Sequence, residues 1–279
     1  MAKACRRAIV QQEQQGVMKT LVSLMLAGAT LLAPAAVAAE PDAARVLAPS
    51  GTLRAAINFG NPVLAQRDTA TGEPRGVSVA LARELGQRLG VAVRLVAYEE
   101  AGLVAAAAEH DAWDVAFLAV DPLRGATIAF TNPYVLIEGA YVVPPGSRLD
   151  RVDAVDQPGV RICVAINSAY DLFLSRALQH AELVRFAGGG KAEAAFLGGS
   201  FDALAGVKQP LAALVRTHPE LRLLPGRFMA IRQAVAVPKS RAAGLPFLRS
   251  FVEEAKASGF VRAALDATGQ HEAEVAPAE

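Results

Sequence analysis

Six consecutive residues, Val115-Ala116-Phe117-Leu118-Ala119-Val120, carry no polar side chain. The run is short for a helix and has the length of a strand. A strand that is apolar on both faces must be covered on both, and helices flanking a parallel sheet give that cover. The preceding segments complete such a unit. Leu53 to Asn58 reads as a short apolar strand, broken by Gly60, Asn61 and Pro62. Val77, Leu81, Leu85 and Leu89 recur at helical spacing among Arg83, Glu84, Gln87 and Arg88, and Gly90 stops the helix. Residues 91–97 are rich in β-branched side chains and extended, and residues 101–110 are Ala-rich and helical. Strand, helix, strand, helix, strand predicts an α/β unit.

A second unit begins after Pro144-Pro145-Gly146. Its strands are expected over residues 161–166, 183–186 and 202–205, and its helices over 168–178, 191–197 and 210–216. Residues 228–237 form an extended run. Phe247, Leu248, Phe251, Val252 and Ala255 keep helical spacing within 245–265, and Gly259 divides that stretch in two. The two cycles match in layout but not in residues.

The N-terminus has the three parts of a secretory signal. Lys3, Arg6, Arg7 and Lys19 are basic, residues 21–32 are apolar and uncharged, and Ala35-Ala36-Val37-Ala38-Ala39 offers small residues for cleavage. A signal peptide over residues 1–39 and a periplasmic location are expected. Met18 offers a second start. No Cys follows the apolar run, so no lipid anchor is expected. Cleavage would remove Cys5 and leave Cys163 alone, which gives disulfides no part in the fold. With 28 basic against 27 acidic residues, the chain lacks the excess that nucleic-acid binding requires. Hydrophobic residues at 53% exclude a disordered chain.

Motifs for chemistry are sparse. His110, His180, His218 and His271 lie far apart, so neither a metal nor another cofactor is expected. There is no Gly-x-Ser-x-Gly elbow. Gly188-Gly189-Gly190-Lys191 lacks the spacing and hydroxyl of a phosphate loop and reads as a turn into a helix. What remains is four loops at the carboxyl ends of the predicted strands, where open α/β sheets bind ligands. They are Phe59-Gly60-Asn61-Pro62, the segment from Ala119 through Asp121 to Arg124, Asn167-Ser168-Ala169-Tyr170, and Val207-Lys208-Gln209.

Four stretches in order carry a resemblance, which runs from about Gly51 to Gly269. They are Gly51-Thr52-Leu53-Arg54; Gly76 to Ala82 continuing through Leu89-Gly90-Val91; Trp113-Asp114-Val115 through Arg124 to Phe130-Thr131-Asn132-Pro133-Tyr134; and Asp202 to Gly206. The chain resembles the family 3 extracellular solute-binding proteins, the periplasmic receptors of polar amino-acid ABC transporters. The resemblance implies a two-lobe α/β fold, each lobe a sheet flanked by helices. Residues 40–143 and 234–269 would form the first lobe and 144–233 the second, with 270–279 a disordered tail. Tyr141-Val142-Val143 and Gln233-Ala234-Val235 would cross between the lobes. A membrane permease would be the partner, and the receptor would act as a monomer.

By the same resemblance Arg124 matches the arginine that grips a ligand carboxylate, which a guanidinium does with two parallel bonds. Ser168 matches the first of two hydroxyl residues at a helix start, where an anion is favoured. Capping of that helix is the alternative role for Ser168, and both can hold at once. Elsewhere the chain departs from the family. Asn58 stands for an Asp, Asn61 for a ligand-packing aromatic, and Ala119 and Ala169 for hydroxyls. Val207, followed by Lys208, stands where an Asp holds the ligand ammonium. An unpaired buried ammonium is costly. A small organic acid, or a ligand whose amine is absent or masked, therefore fits better than an ordinary α-amino acid. The second function class is a dehydratase on the same scaffold acting on cyclic prephenate-type acids, for which Glu138 is the acid that can be named.

Overall fold

The computed structural model describes residues 41–279, so the leader expected over residues 1–39 lies outside the described residues. In chain order the first elements are α1 (Pro41–Leu47), β1 (Thr52–Asn58), β2 (Gln66–Arg67), β3 (Pro74–Arg75), α2 (Val77–Leu89), β4 (Ala92–Tyr98), α3 (Ala101–Ala106) and β5 (Val115–Ala119). There follow β6 (Ile128–Val143), β7 (Arg161–Ala165), α4 (Ala169–Ala177), β8 (Glu182–Phe186), α5 (Gly189–Leu197), β9 (Ala203–Val207) and α6 (Lys208–Thr217). The chain ends with β10 (Arg222–Leu223), β11 (Met229–Pro238), α7 (Leu245–Ala257), α8 (Phe260–Asp266) and β12 (Glu274–Val275).

Asp114, just before the apolar run, shows how the first unit is tied. Its carboxylate accepts the Arg54 amide at 2.8 Å and the Arg54 guanidinium at 2.7 and 3.1 Å. A fully buried carboxylate needs such partners. The bond sets β1 between β4 and β5, both parallel to it. The second unit repeats the device. Asp202 accepts the Arg161 amide at 2.8 Å, and β7 lies between β8 and β9, again parallel. The two cycles thus share residues at this point as well as layout.

The two parallel portions join into one sheet in the order β4-β1-β5-β11-β6-β9-β7-β8. Two antiparallel strands, β6 and β11, make the join. They pair from Ile128 opposite Pro238 to Gly139 opposite Met229. β11 also pairs with β5, and β6 with β9. Tyr134, Val135, Ile137, Ile231 and Val235 pack into the first core; Tyr141, Val143 and Phe228 belong to the second. The segments expected to cross lie within these two strands. The length of β6 was not apparent because Pro133 interrupts its pattern. Pro133 is accommodated opposite Ala234, where the register shifts.

Two expectations are corrected. The loop placed at Val207-Lys208-Gln209 does not exist: β9 runs to Val207 and α6 starts at Lys208. Nor is the chain end disordered. β12 pairs with Val135 and Leu136 of β6, Ala273 and Ala276 are buried, and Arg232 holds Glu279 at 2.6 Å. An open β6 edge leaves backbone groups unpaired, and the chain end covers it. Among the described residues, no helix is long and apolar enough to cross a membrane.

Candidate ligand-binding site

Arg124 sits on a short turn after β5. Asp121 shapes that turn: its carboxylate accepts the Leu123 amide at 2.8 Å, and its carbonyl accepts the Gly125 amide. The turn aims the guanidinium inward, where it is 5% exposed. Nη1 donates to the Ala119 carbonyl at 3.1 Å and Nη2 to the Asn167 carbonyl at 3.0 Å, while Nε is buried with no partner. Burial lowers the Arg124 pKa to about 10, so the group is still a cation at neutral pH.

Asn167 faces it from the second half. Its backbone is left-handed, with φ of 56°, and its amide donates to Asp171 at 2.8 Å. Ser168 caps α4, its hydroxyl accepting the Asp171 amide at 3.0 Å. Asp171 is buried and held by Arg185 at 2.9 Å.

Between these elements lies a cavity of about 60 Å³. One ordered water needs about 10–15 Å³, so the space takes roughly four to six water-sized groups. Of the residues the sequence suggested, Arg124, Asn58, Asn61, Ala119, Ser168, Ala169 and Val207 line it. Four suggested residues do not. Phe59 packs in the first core under the Arg67 guanidinium. Asp121 lies behind the turn and pairs with Arg176 at 2.7 Å. Asn167 contributes its carbonyl to Arg124. Lys208 turns away to pair with Glu138. Tyr170, in a loop the sequence had marked for ligand, and Gly188, read there only as a turn, are also on the wall, and sequence reasoning missed Glu99, Glu100, Ile231 and Gln233 as lining residues. Glu99 and Glu100 follow β4 at its carboxyl end, so the rule that found the other loops applies to them too.

Residues 53–267 match the model of the bacterial extracellular solute-binding proteins, family 3. The chain belongs to this family. No curated protein compared with it matches. Among solved structures, a mutant of ArgBP from T. maritima is 24% identical with a TM-score of 0.69, over 81% of this chain and 99% of that one. The solute receptor for L-cysteine of Neisseria gonorrhoeae is 22% identical with a TM-score of 0.70, over 81% and 92%. An amino acid ABC transporter substrate-binding protein from Streptococcus pneumoniae, bound to L-arginine, is 18% identical with a TM-score of 0.69, over 82% and 99%. Likeness at these identities speaks for the two-lobe fold.

This family 3 solute-binding protein has one acid that the sequence singled out for chemistry, Glu138. It lies on β6 outside the cavity that Arg124 lines. Lys208 and Arg227 both pair with it. The hydrogen bond from Lys208 holds its carboxyl below the usual range. An ionised, doubly paired carboxylate away from the cavity is poorly placed as a proton donor to a bound acid.

Proposed function

We propose that the protein is a periplasmic receptor that captures a small carboxylate-bearing solute, amino-acid-like or an organic acid, between its halves and delivers it to the membrane permease of an ABC transporter. One observation carries the reading: a buried guanidinium in a small cavity, with no partner for its Nε and no ion pair to an acid among the described residues. Family membership supports the receptor role. So do the similar proteins of S. pneumoniae and N. gonorrhoeae, an amino acid ABC transporter substrate-binding protein and a solute receptor for L-cysteine. The reading includes cleavage after Ala39, which an intact-mass measurement on periplasmic protein starting at Glu40 checks. The dehydratase reading gains nothing from Glu138.

The test is a thermal-shift screen of small carboxylates followed by titration calorimetry. A solute at 100 times its Kd adds about 2.7 kcal/mol of stability. Arg124→Ala should weaken binding by about 2–5 kcal/mol, roughly thirty- to several-thousandfold. Arg124→Lys should recover only part, since an ammonium lacks the two-pronged fork. A loss below about threefold in Arg124→Ala would sink the proposal.

A further inference from the structure

The cavity wall holds a second polar group that nothing among the described residues satisfies. Gln233 lies in mid-β11, opposite Ala119 of β5 on one side and Val135 of β6 on the other. The register shifts just after it, and such irregularities re-aim side chains beside sites. The residue lines the cavity and is 4% exposed, and Oε1 is buried with no hydrogen-bond partner among the described residues. Native proteins rarely leave a buried acceptor unpaired, and one calls for explanation. The cavity therefore carries two complementary orphans: a donor on the Arg124 cation and an acceptor on a neutral amide. A cavity of about 60 Å³ suits a small solute that carries both groups.

The acceptor's lack of charge decides what meets it. Leu118, Ala119, Ala169, Val207 and Ile231 make the nearby wall apolar. The buried carboxylates of Asp121 and Asp171 are taken by Arg176 and Arg185. Glu99 is exposed and paired with Arg67. Glu100 is the remaining acid. It stands beside Gly188 at the amino end of α5, where the helix dipole already suits a carboxylate. An ammonium against Gln233 would have only Glu100, held at the start of α5, to balance its charge, whereas a hydroxyl needs no counter-charge.

Resting on Arg124 as the carboxylate anchor, we infer that Gln233 is a specificity-determining residue: its Oε1 accepts a hydrogen bond from an uncharged donor on the solute, so the site favours a small 2-hydroxy carboxylate over the matching 2-amino acid. L-lactate, D-lactate, L-alanine and propionate share a skeleton and differ at one substituent, and titration calorimetry of the purified protein with each is the test. One hand of lactate should bind at least about tenfold tighter than propionate and than alanine, the scale of one satisfied buried hydrogen bond. In Gln233→Met the lactate-to-propionate ratio should fall toward one. If that variant fails to fold, Gln233→Leu serves the same comparison. Alanine binding tightest, with Glu100→Gln abolishing its advantage, would overturn the inference. So would equal binding of lactate and propionate, or an unchanged ratio in both Gln233 variants. These outcomes leave the carboxylate receptor standing. If none of the four binds and Arg124→Ala leaves unchanged the titration of a carboxylate found by the screen, the anchor itself fails and the inference with it.

Discussion

Arg124 shows how far a single residue is legible. Its spacing from Phe130 and Tyr134 named it, but its environment came only with the fold. Ala119 and Asn167, which take its N–H groups, are forty-eight positions apart, and no local pattern links them. Gln233 was read only as part of a crossing strand, because a lone Gln among Ala and Val gives no hint that its oxygen lacks a partner. The burial that lowers the Arg124 pKa to about 10 also sets a pH dependence. A bound carboxylate raises that pKa above its free value. Binding is thus fully favoured below pH 10 and lost as pH rises through it. Affinity should be flat from pH 7 to 9 and about tenfold weaker at pH 11 by titration calorimetry. Unchanged affinity at pH 11 would show that the guanidinium keeps its proton there, against this prediction.

Among the elements, those with a strong period were the most legible. Residues 77–89 form a helix as Val77, Leu81, Leu85 and Leu89 require. Its start also fixes Gly76, whose φ is 122° and where an added Cβ would lie 2.3 Å from the Leu64 carbonyl oxygen. Gly76→Ala should therefore destabilise by about 2–4 kcal/mol, read as a lower thermal midpoint. A midpoint within 1 °C of wild type would mean that the Leu64 backbone yields, against this reading. The least legible element was β12. Ala273, Glu274, Val275 and Ala276 are too few and too small to carry a pattern, and only the open edge of β6 makes a strand of them. Deleting residues 273–279 removes that pairing and should lower stability by about 1–3 kcal/mol. No shift would mean the segment detaches in solution.

For the whole molecule, family and two-part layout were in the sequence, and the bonds joining the parts were not. Arg176 on α4 reaches across to Asp121, behind the turn that carries Arg124. The Asp121 side chain is 5% exposed and that of Arg176 40%, so the pair is discounted for solvent to about 1 kcal/mol. We predict that it holds the halves together without touching solute. Arg176→Gln should weaken carboxylate binding about fivefold. It should also enlarge the radius of gyration of the solute-free protein in small-angle scattering. An identical radius would count against that role. Arg176→Lys, tested at low and high salt, separates charge from shape.

The two shared strands also set an order of assembly. Leu53, Ile57 and Leu81 pack in one core with Val235, Leu248, Phe251 and Leu265. The middle segment carries its own cores, including Ile162, Val164 and Leu174 with Ala203 and Ala205. A chain that emerges from its N-terminus therefore delivers the first half's apolar residues early and the segments that cover them last. The middle half has its strands in hand sooner and can fold while the first half waits, its unfinished sheet edge exposed to solvent. We predict that residues 53–120, though made before the middle segment, complete their packing after it, which hydrogen exchange pulse-labelling during refolding checks.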